Sequence, residues 1–199
     1  FFILCYLHGC SLASLYSFLR PPLPLRLVFL QNINNLTHDQ IKKRHGFRPQ
    51  LQYEGQVFVH DKYPNLLFVP PWEIYQLEGK SVLLAGGVYS INKKRRIERG
   101  DNWFADEQIS ETDKQRLGNK LDSVNWRIEM VFSHTCPLRY IPGKAFLEGV
   151  DQFKVDKSTE LWLDDLETRL CCQKWFYGHF HLDKKRGPIQ FLYREILAL

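Results

Sequence analysis

Between Gly55 and Gly87 the chain passes through four short apolar segments, QVFVH, NLLFV, EIYQLEG and SVLLAGG, separated by stretches that carry Pro, Gly, Asn and Asp. Gaps this short leave no room for helices, so the middle of the chain is predicted to be consecutive β-strands. The second half has a different rhythm. A helix is predicted at Ser110–Leu121, opened by the capping-box-like SETD, followed by a strand RIEMVF and a loop rich in Pro and Gly. A helix DKSTELWLDDLETRL, a strand KWFYG and a final strand IQFLY complete it. Ahead of the β-rich middle, FFILCYL reads as a buried strand. SLASLYSFL reads as a helix capped by Ser11, with Leu12, Leu15, Tyr16 and Leu19 on one face, and RPPLP stops it; LRLVFL is a second buried strand. Residues 31–50 read as a polar, loop-like stretch. Strands and helices alternating around a β-rich centre predict an α/β fold, a sandwich of two packed sheets with helices outside. No internal repeat or low-complexity tract is present.

The chain has 199 residues, 44% of them hydrophobic and 14% aromatic, enough for one globular domain spanning 1–199 with a sizeable core. A net charge of +5 is compatible with an anionic substrate or a nucleic acid and requires neither, and no nucleic-acid partner is expected. The five cysteines, Cys5, Cys10, Cys136, Cys171 and Cys172, form no CxxC pair and no regular ladder, and read as reduced thiols of a cytoplasmic protein. Residues 1–19 carry no Lys, Arg, Asp or Glu, which reaches the lower range for a membrane span or signal segment. A buried strand followed by a helix explains them as well, and no membrane association is expected. The chain begins at Phe1 and its one methionine is Met130, as a fragment, a processed product or a trimmed chain would.

Three of the seven histidines fall just past predicted strands. His134 follows Met130–Phe132 in MVFSHTCP, and His179 and His181 follow the strand in KWFYGHFHLDKK. Ligands of open α/β sheets gather beyond the carboxyl ends of strands, so two strand ends can aim imidazoles into one crevice. On extended backbone His179 and His181 would project to the same side, with Phe180 turned into the core and Gly178 permitting a sharp bend. An isolated HxH proves little, and three imidazoles are too few for a dinuclear centre, which normally adds carboxylates.

FSHTCP followed by YGHFH resembles the C-terminal half of the calcineurin-like metallophosphoesterases. The resemblance extends through GQVFVHDKYPNLLFV, WEIYQLEGKSVLLAGGVYSINKKRR, WFADEQIS and FLEGVDQFKVDKSTELWLDDLE, over residues 44–195, to a bacterial serine/threonine-phosphatase-like branch. It implies an αββα sandwich bearing two divalent metal ions (Mn, Fe or Zn) that activate water for in-line attack on a phosphoester. It further implies that His134 and His179 hold the second metal and that His181 is a ligand of the first. Asp183, beyond the HxH, is read as either a partner of these ligands or a solvated loop residue.

The N-terminal half departs from the family pattern. CYLHG stands where GDxHG is expected, keeping His8 and Gly9 but placing Tyr6 at the metal-binding aspartate position. QNINN replaces GDxxD, so Asn32 takes the bridging position and Asn35 the second aspartate. KRHGFRP keeps His45, Arg48 and Pro49 of the third motif but has Arg44 in place of the ligating asparagine. An amide brings no charge to offset repulsion between two cations, a phenol ligates only after losing its proton, and a guanidinium repels metals. The implied roles are metal ligation by His8, leaving-group assistance by His45, and substrate binding by Arg48, Lys93 and Arg95. The basic cluster NKKRRIERG also reads as a solvated loop, Cys136 as a small buried thiol, and AGG as a tight strand end. The expected substrate is a phosphorylated small molecule or phosphoprotein. The alternative is a catalytically impaired chain of the same fold serving as a binding module.

Overall fold

The computed structural model describes residues 2–4, 26–30, 46–89, 93–100, 108–143, 151–193 and 197–198. It is a mixed α/β protein with two six-stranded sheets. The first contains β1 (Phe2–Leu4), β2 (Arg26–Leu30), β3 (Phe47–Gln52), β4 (Gly55–His60) and β5 (Tyr63–Val69), with β12 (Leu197–Ala198) pairing against β1. Its order is β12-β1-β2-β5-β4-β3, with β1, β2 and β5 parallel. The second contains β6 (Glu73–Leu77), β7 (Lys80–Ala85), β8 (Arg127–Ser133), β9 (Cys171–Tyr177), β10 (Lys184–Arg186) and β11 (Ile189–Phe191), in the order β10-β11-β9-β8-β7-β6. Strands β7, β8, β9 and β11 run parallel, and β6 and β10 close the edges antiparallel.

The four strands read from the middle of the chain are all present. Stretch 31–50 needs correction: Phe47–Gln52 is a strand, paired with β4 from Phe47↔His60 to Gln52↔Gly55. It escapes the apolar pattern because it is an outer strand with Arg48, Pro49 and Leu51 exposed. An edge also tolerates a proline that cannot donate to a ladder. Its turn is Tyr53-Glu54, with φ of 57° and 64°, the geometry of a two-residue hairpin without the usual Asn-Gly signal. Gly55, next in line, lies against the Tyr75 ring, where an added Cβ would come within 2.4 Å. Tyr75 Oη then donates to the Gln56 carbonyl at 2.8 Å and the Gln76 amide to the Tyr53 carbonyl at 2.9 Å, tying β6 of one sheet to the hairpin of the other.

Parallel strands need long crossovers, and helices supply them. Helix α1 (Lys93–Arg99) forms from the basic cluster that the sequence reading took as a loop. Helix α2 (Glu111–Ser123) lies between β7 and β8, and α3 (Ser158–Arg169) between β8 and β9. The predicted cap of α2 is present: Ser110 Oγ accepts from the Asp113 amide at 3.1 Å. Buried Glu73 of β6 anchors α2 by pairing with Arg116 at 3.2 Å and with Lys120. Strand β9 begins three residues before the predicted KWFYG, and Lys184–Arg186 forms an exposed edge strand.

Alternation along β7, β8 and β9 divides the second sheet into two faces. Val82, Leu84, Met130, Phe132 and Phe176 join Val57, Val59, Leu67 and Val69 of the first sheet in one core cluster. Leu83, Ala85, Val131, Trp175 and Tyr177 pack on the other face with Leu117, Leu121, Leu163 and Leu166 of the helices. Each fully buried aliphatic or aromatic side chain contributes about 1.5–3 kcal/mol, so these two layers fix the strand ends that carry the histidines. Among the described residues no helix is long and apolar enough to cross a membrane. The predicted helix SLASLYSFL lies outside the described residues.

Candidate functional site

Because β7, β8 and β9 are parallel, they finish along one edge, and the chain leaves them as Gly86-Gly87, His134 and Gly178-His179. Backbone hydrogen bonds extend the sheet one step past the strands. The His134 amide donates to the Ala85 carbonyl at 2.9 Å, and the Gly178 amide is shared between the carbonyls of Ser133 at 3.3 Å and His134 at 3.2 Å. The result is ring contact between His134 and His179, with centroids 5.2 Å apart and planes inclined by 60°. His134 is buried, at 6% exposure.

The HxH does not work through extended backbone. His179 and His181 are both left-handed, with φ of 65° and 51°, and the Phe180 amide folds back onto the Gly178 carbonyl at 2.8 Å. The sequence reading gave the bend to Gly178, whereas the histidines themselves take the unusual conformation. Histidine is enriched among the residues that tolerate it, and such strain concentrates at functional sites. His181 is exposed and stacks on Tyr193, with centroids 4.7 Å apart and an angle of 17°. Asp183 is the residue that closes this turn, its Oδ1 accepting from the Tyr193 amide at 2.6 Å. The structure therefore brings His134 and His179 together and sets His181 against Tyr193.

A cation held about 2.0–2.1 Å from one nitrogen of each of two imidazoles, at a tetrahedral angle, puts the ring centroids roughly 5.2 Å apart. The observed separation fits that use, and an edge-to-face contact between neutral rings spans the same range. Two neutral imidazoles suit a borderline ion such as Mn, Fe or Zn. Among the described residues there is no group of three His, Cys, Asp or Glu side chains arranged to hold a metal. Two imidazoles are the described donors that meet here, and they do not make a centre for a pair of ions, which needs carboxylates to offset cation repulsion.

The remaining sequence candidates are dispersed. Arg48 lies on edge strand β3, its Nε 3.1 Å from Asp61 Oδ1, and is largely exposed. Lys93 opens α1 and is half-buried. It is near enough to Asp156 to help hold that carboxyl below its usual range, an effect due first to the Ser158 amide. Arg95 belongs to α1, though its side chain is outside the described set. Tyr6, His8, Asn32, Arg44 and His45 lie outside the described residues.

Beneath the His134 loop the buried thiol expected at Cys136 lies among three buried polar side chains that the sequence reading missed. Thr135, Cys136, Thr159 and Glu160 are all at 5% exposure or less. Burial, reinforced by nearby Glu160, pushes the Cys136 thiol far above its ordinary value, which agrees with an inert buried thiol. Glu160 occupies the first turn of α3, where an acidic residue reads as an ordinary complement to the helix dipole, so its pattern gave no sign of burial.

Comparison with protein-family models, curated proteins and solved structures finds no match for this chain.

Proposed function

We propose that the chain is a metal-dependent phosphoester hydrolase of the calcineurin-like class. In this reading the two sheets are the centre of an αββα sandwich and the strand-end histidines are part of the metal centre. The observation that carries the reading is the contact of His134 with His179, two imidazoles distant in sequence that meet beyond adjacent parallel strands. A divalent ion there supplies water of lowered pKa and a Lewis acid for the phosphoryl oxygens. The chain's own contribution is to fix His134 through its amide and carbonyl, and His179 through the tight turn after Gly178. His181 would join as a ligand by leaving Tyr193, His8 would add a ligand from the N-terminal half, and His45 would assist the leaving group. Arg48, Lys93 and Arg95 are the cations proposed for an anionic substrate, a phosphorylated small molecule or phosphoprotein. Among the described residues Cys136, Cys171 and Cys172 form no disulfide, in keeping with the cytoplasmic setting proposed.

The reading is tested with para-nitrophenyl phosphate and its bis-ester in the presence of manganese. The expected result is turnover that disappears with chelator and in His134→Ala and His179→Ala. Turnover that survives both treatments overturns it.

A second reading is favoured by a specific observation. Tyr6, Asn32 and Arg44 stand where the family places metal ligands, and among the described residues no three donors gather to hold a metal. The chain is then a binding module with a degenerate site. Metal stoichiometry separates the two: two tightly held ions per chain support the hydrolase, while one or none, without turnover, supports the module.

A further inference from the structure

The loop bearing His134 is fixed from beneath by buried hydrogen bonds that end on a helix. Trp175 Nε1 donates to Ser133 Oγ at 2.8 Å, Ser133 Oγ donates to the Thr135 carbonyl at 2.6 Å, and Thr135 Oγ1 donates to Glu160 Oε1 at 3.0 Å. Both neighbours of His134 are thus tied down through their side chains. His134 itself is tied through its amide to Ala85 and through its carbonyl to Gly178. With the backbone held at four points, the imidazole keeps only its own side-chain torsions.

Stability alone does not favour a carboxyl at the Glu160 position. It is 5% exposed, and among the described residues its Oε2 has no partner and the adjacent Thr159 Oγ1 is also unpartnered. Burying a polar group that is only half satisfied costs free energy, and an apolar side chain of similar size avoids that cost. Burial raises the Glu160 pKa above the usual carboxyl range, as expected where so few donors face it. Local rules broken without a stability gain concentrate at functional sites. The one bond that Glu160 Oε1 receives from another side chain comes from the residue next to His134.

We propose that Glu160 is a positioning residue for His134, acting through Thr135 to set the height and tilt of the loop so that the His134 and His179 rings meet at a separation one cation can bridge. The inference deepens the metal-site reading and rests on it for one arm of its test.

The experiment uses the full chain labelled with nitrogen-15 at histidine. Long-range proton–nitrogen correlations of the metal-free protein report the His134 and His179 rings directly, and titration with Co²⁺ reports the cation site. Thr135→Val and Glu160→Leu are expected to move both sets of ring correlations and to weaken Co²⁺ binding about tenfold, the lower end for residues that orient metal ligands. Thr135→Ser and Glu160→Gln each keep the hydrogen bond and are expected to restore both readouts, which a purely structural staple does not require. Ring correlations unmoved by Thr135→Val, or a Gln variant no closer to the parent than Leu, overturn the proposal. If Glu160→Leu does not fold, Thr135→Val decides alone, since it leaves the carboxyl in place. Failure of the parent chain to bind Co²⁺ removes the metal-site reading, and the metal-free ring correlations then decide the positioning claim.

Discussion

The two faces of the second sheet share strands but not chemistry. Toward the first sheet they present a cluster of Val, Leu, Met and Phe, with Tyr75 Oη reaching the Gln56 carbonyl. Toward the helices the same strands lie beside Thr135, Cys136, Thr159 and Glu160, together with a Tyr177 hydroxyl that has no partner among the described residues. One face is built for burial alone. The other carries polar groups below the loop that ends in His134, where they cost stability and constrain a side chain of the candidate site. The difference shows where to separate folding from function in this molecule.

The largest effect is expected on the dry face. Phe132 is fully buried and stacks on Phe176 with ring centroids 4.7 Å apart. Phe132→Ala is expected to cost about 3–5 kcal/mol in denaturant unfolding, with no dependence on pH. A loss below about 1 kcal/mol, far under the usual range for such a truncation, removes the claim of tight packing between the sheets.

The helix-side face is expected to respond to pH instead. Glu160 binds its proton more tightly in the folded chain than in the unfolded one, chiefly through burial, with Asp156 raising and Lys157 lowering its pKa and the Cys136 thiol close by. The folded state therefore holds more protons over the window between the ordinary carboxyl value and the raised one. Stability falls as pH rises through that window, by at most about 1.4 kcal/mol per pH unit for one proton. Glu160→Gln is expected to abolish that slope and to match or exceed the parent at the upper end. A variant with the parent's slope contradicts the assignment.

Smaller effects are expected at the surface. Ser110→Ala removes the cap of α2 and is expected to cost about 1 kcal/mol in thermal or denaturant unfolding. Arg48→Ala breaks an exposed pair with Asp61 and is expected to change stability by less than about 0.5 kcal/mol. If Arg48 contacts substrate as proposed, the same variant raises KM while stability is unchanged.

Much of this architecture is legible in the sequence, because apolar alternation and turn residues report directly on which strands are buried. The strands from Gln56 to Ala85, the helix after Ser110 and the one that begins at Ser158 follow that logic. Strand β3 does not, since an outer strand bearing Arg48 and Pro49 carries no apolar signal and its Tyr53-Glu54 turn lacks glycine. Within the candidate site, His134 and His179 are legible because both follow strands that the pattern exposes. The left-handed turn that moves His181 onto Tyr193 is not, because it depends on φ values that histidine rarely adopts. Glu160 was hidden for a third reason: acidic residues are common in the first turn of exposed helices, and only tertiary packing buries this one.

The central claim is that His134 and His179 share a cation. Crystals of the full chain grown with Mn²⁺ and measured across the manganese absorption edge test it directly. The account expects an anomalous peak between the two imidazoles, lost in His179→Ala. A map with no peak there, or with its peak at a site touching neither ring, contradicts it.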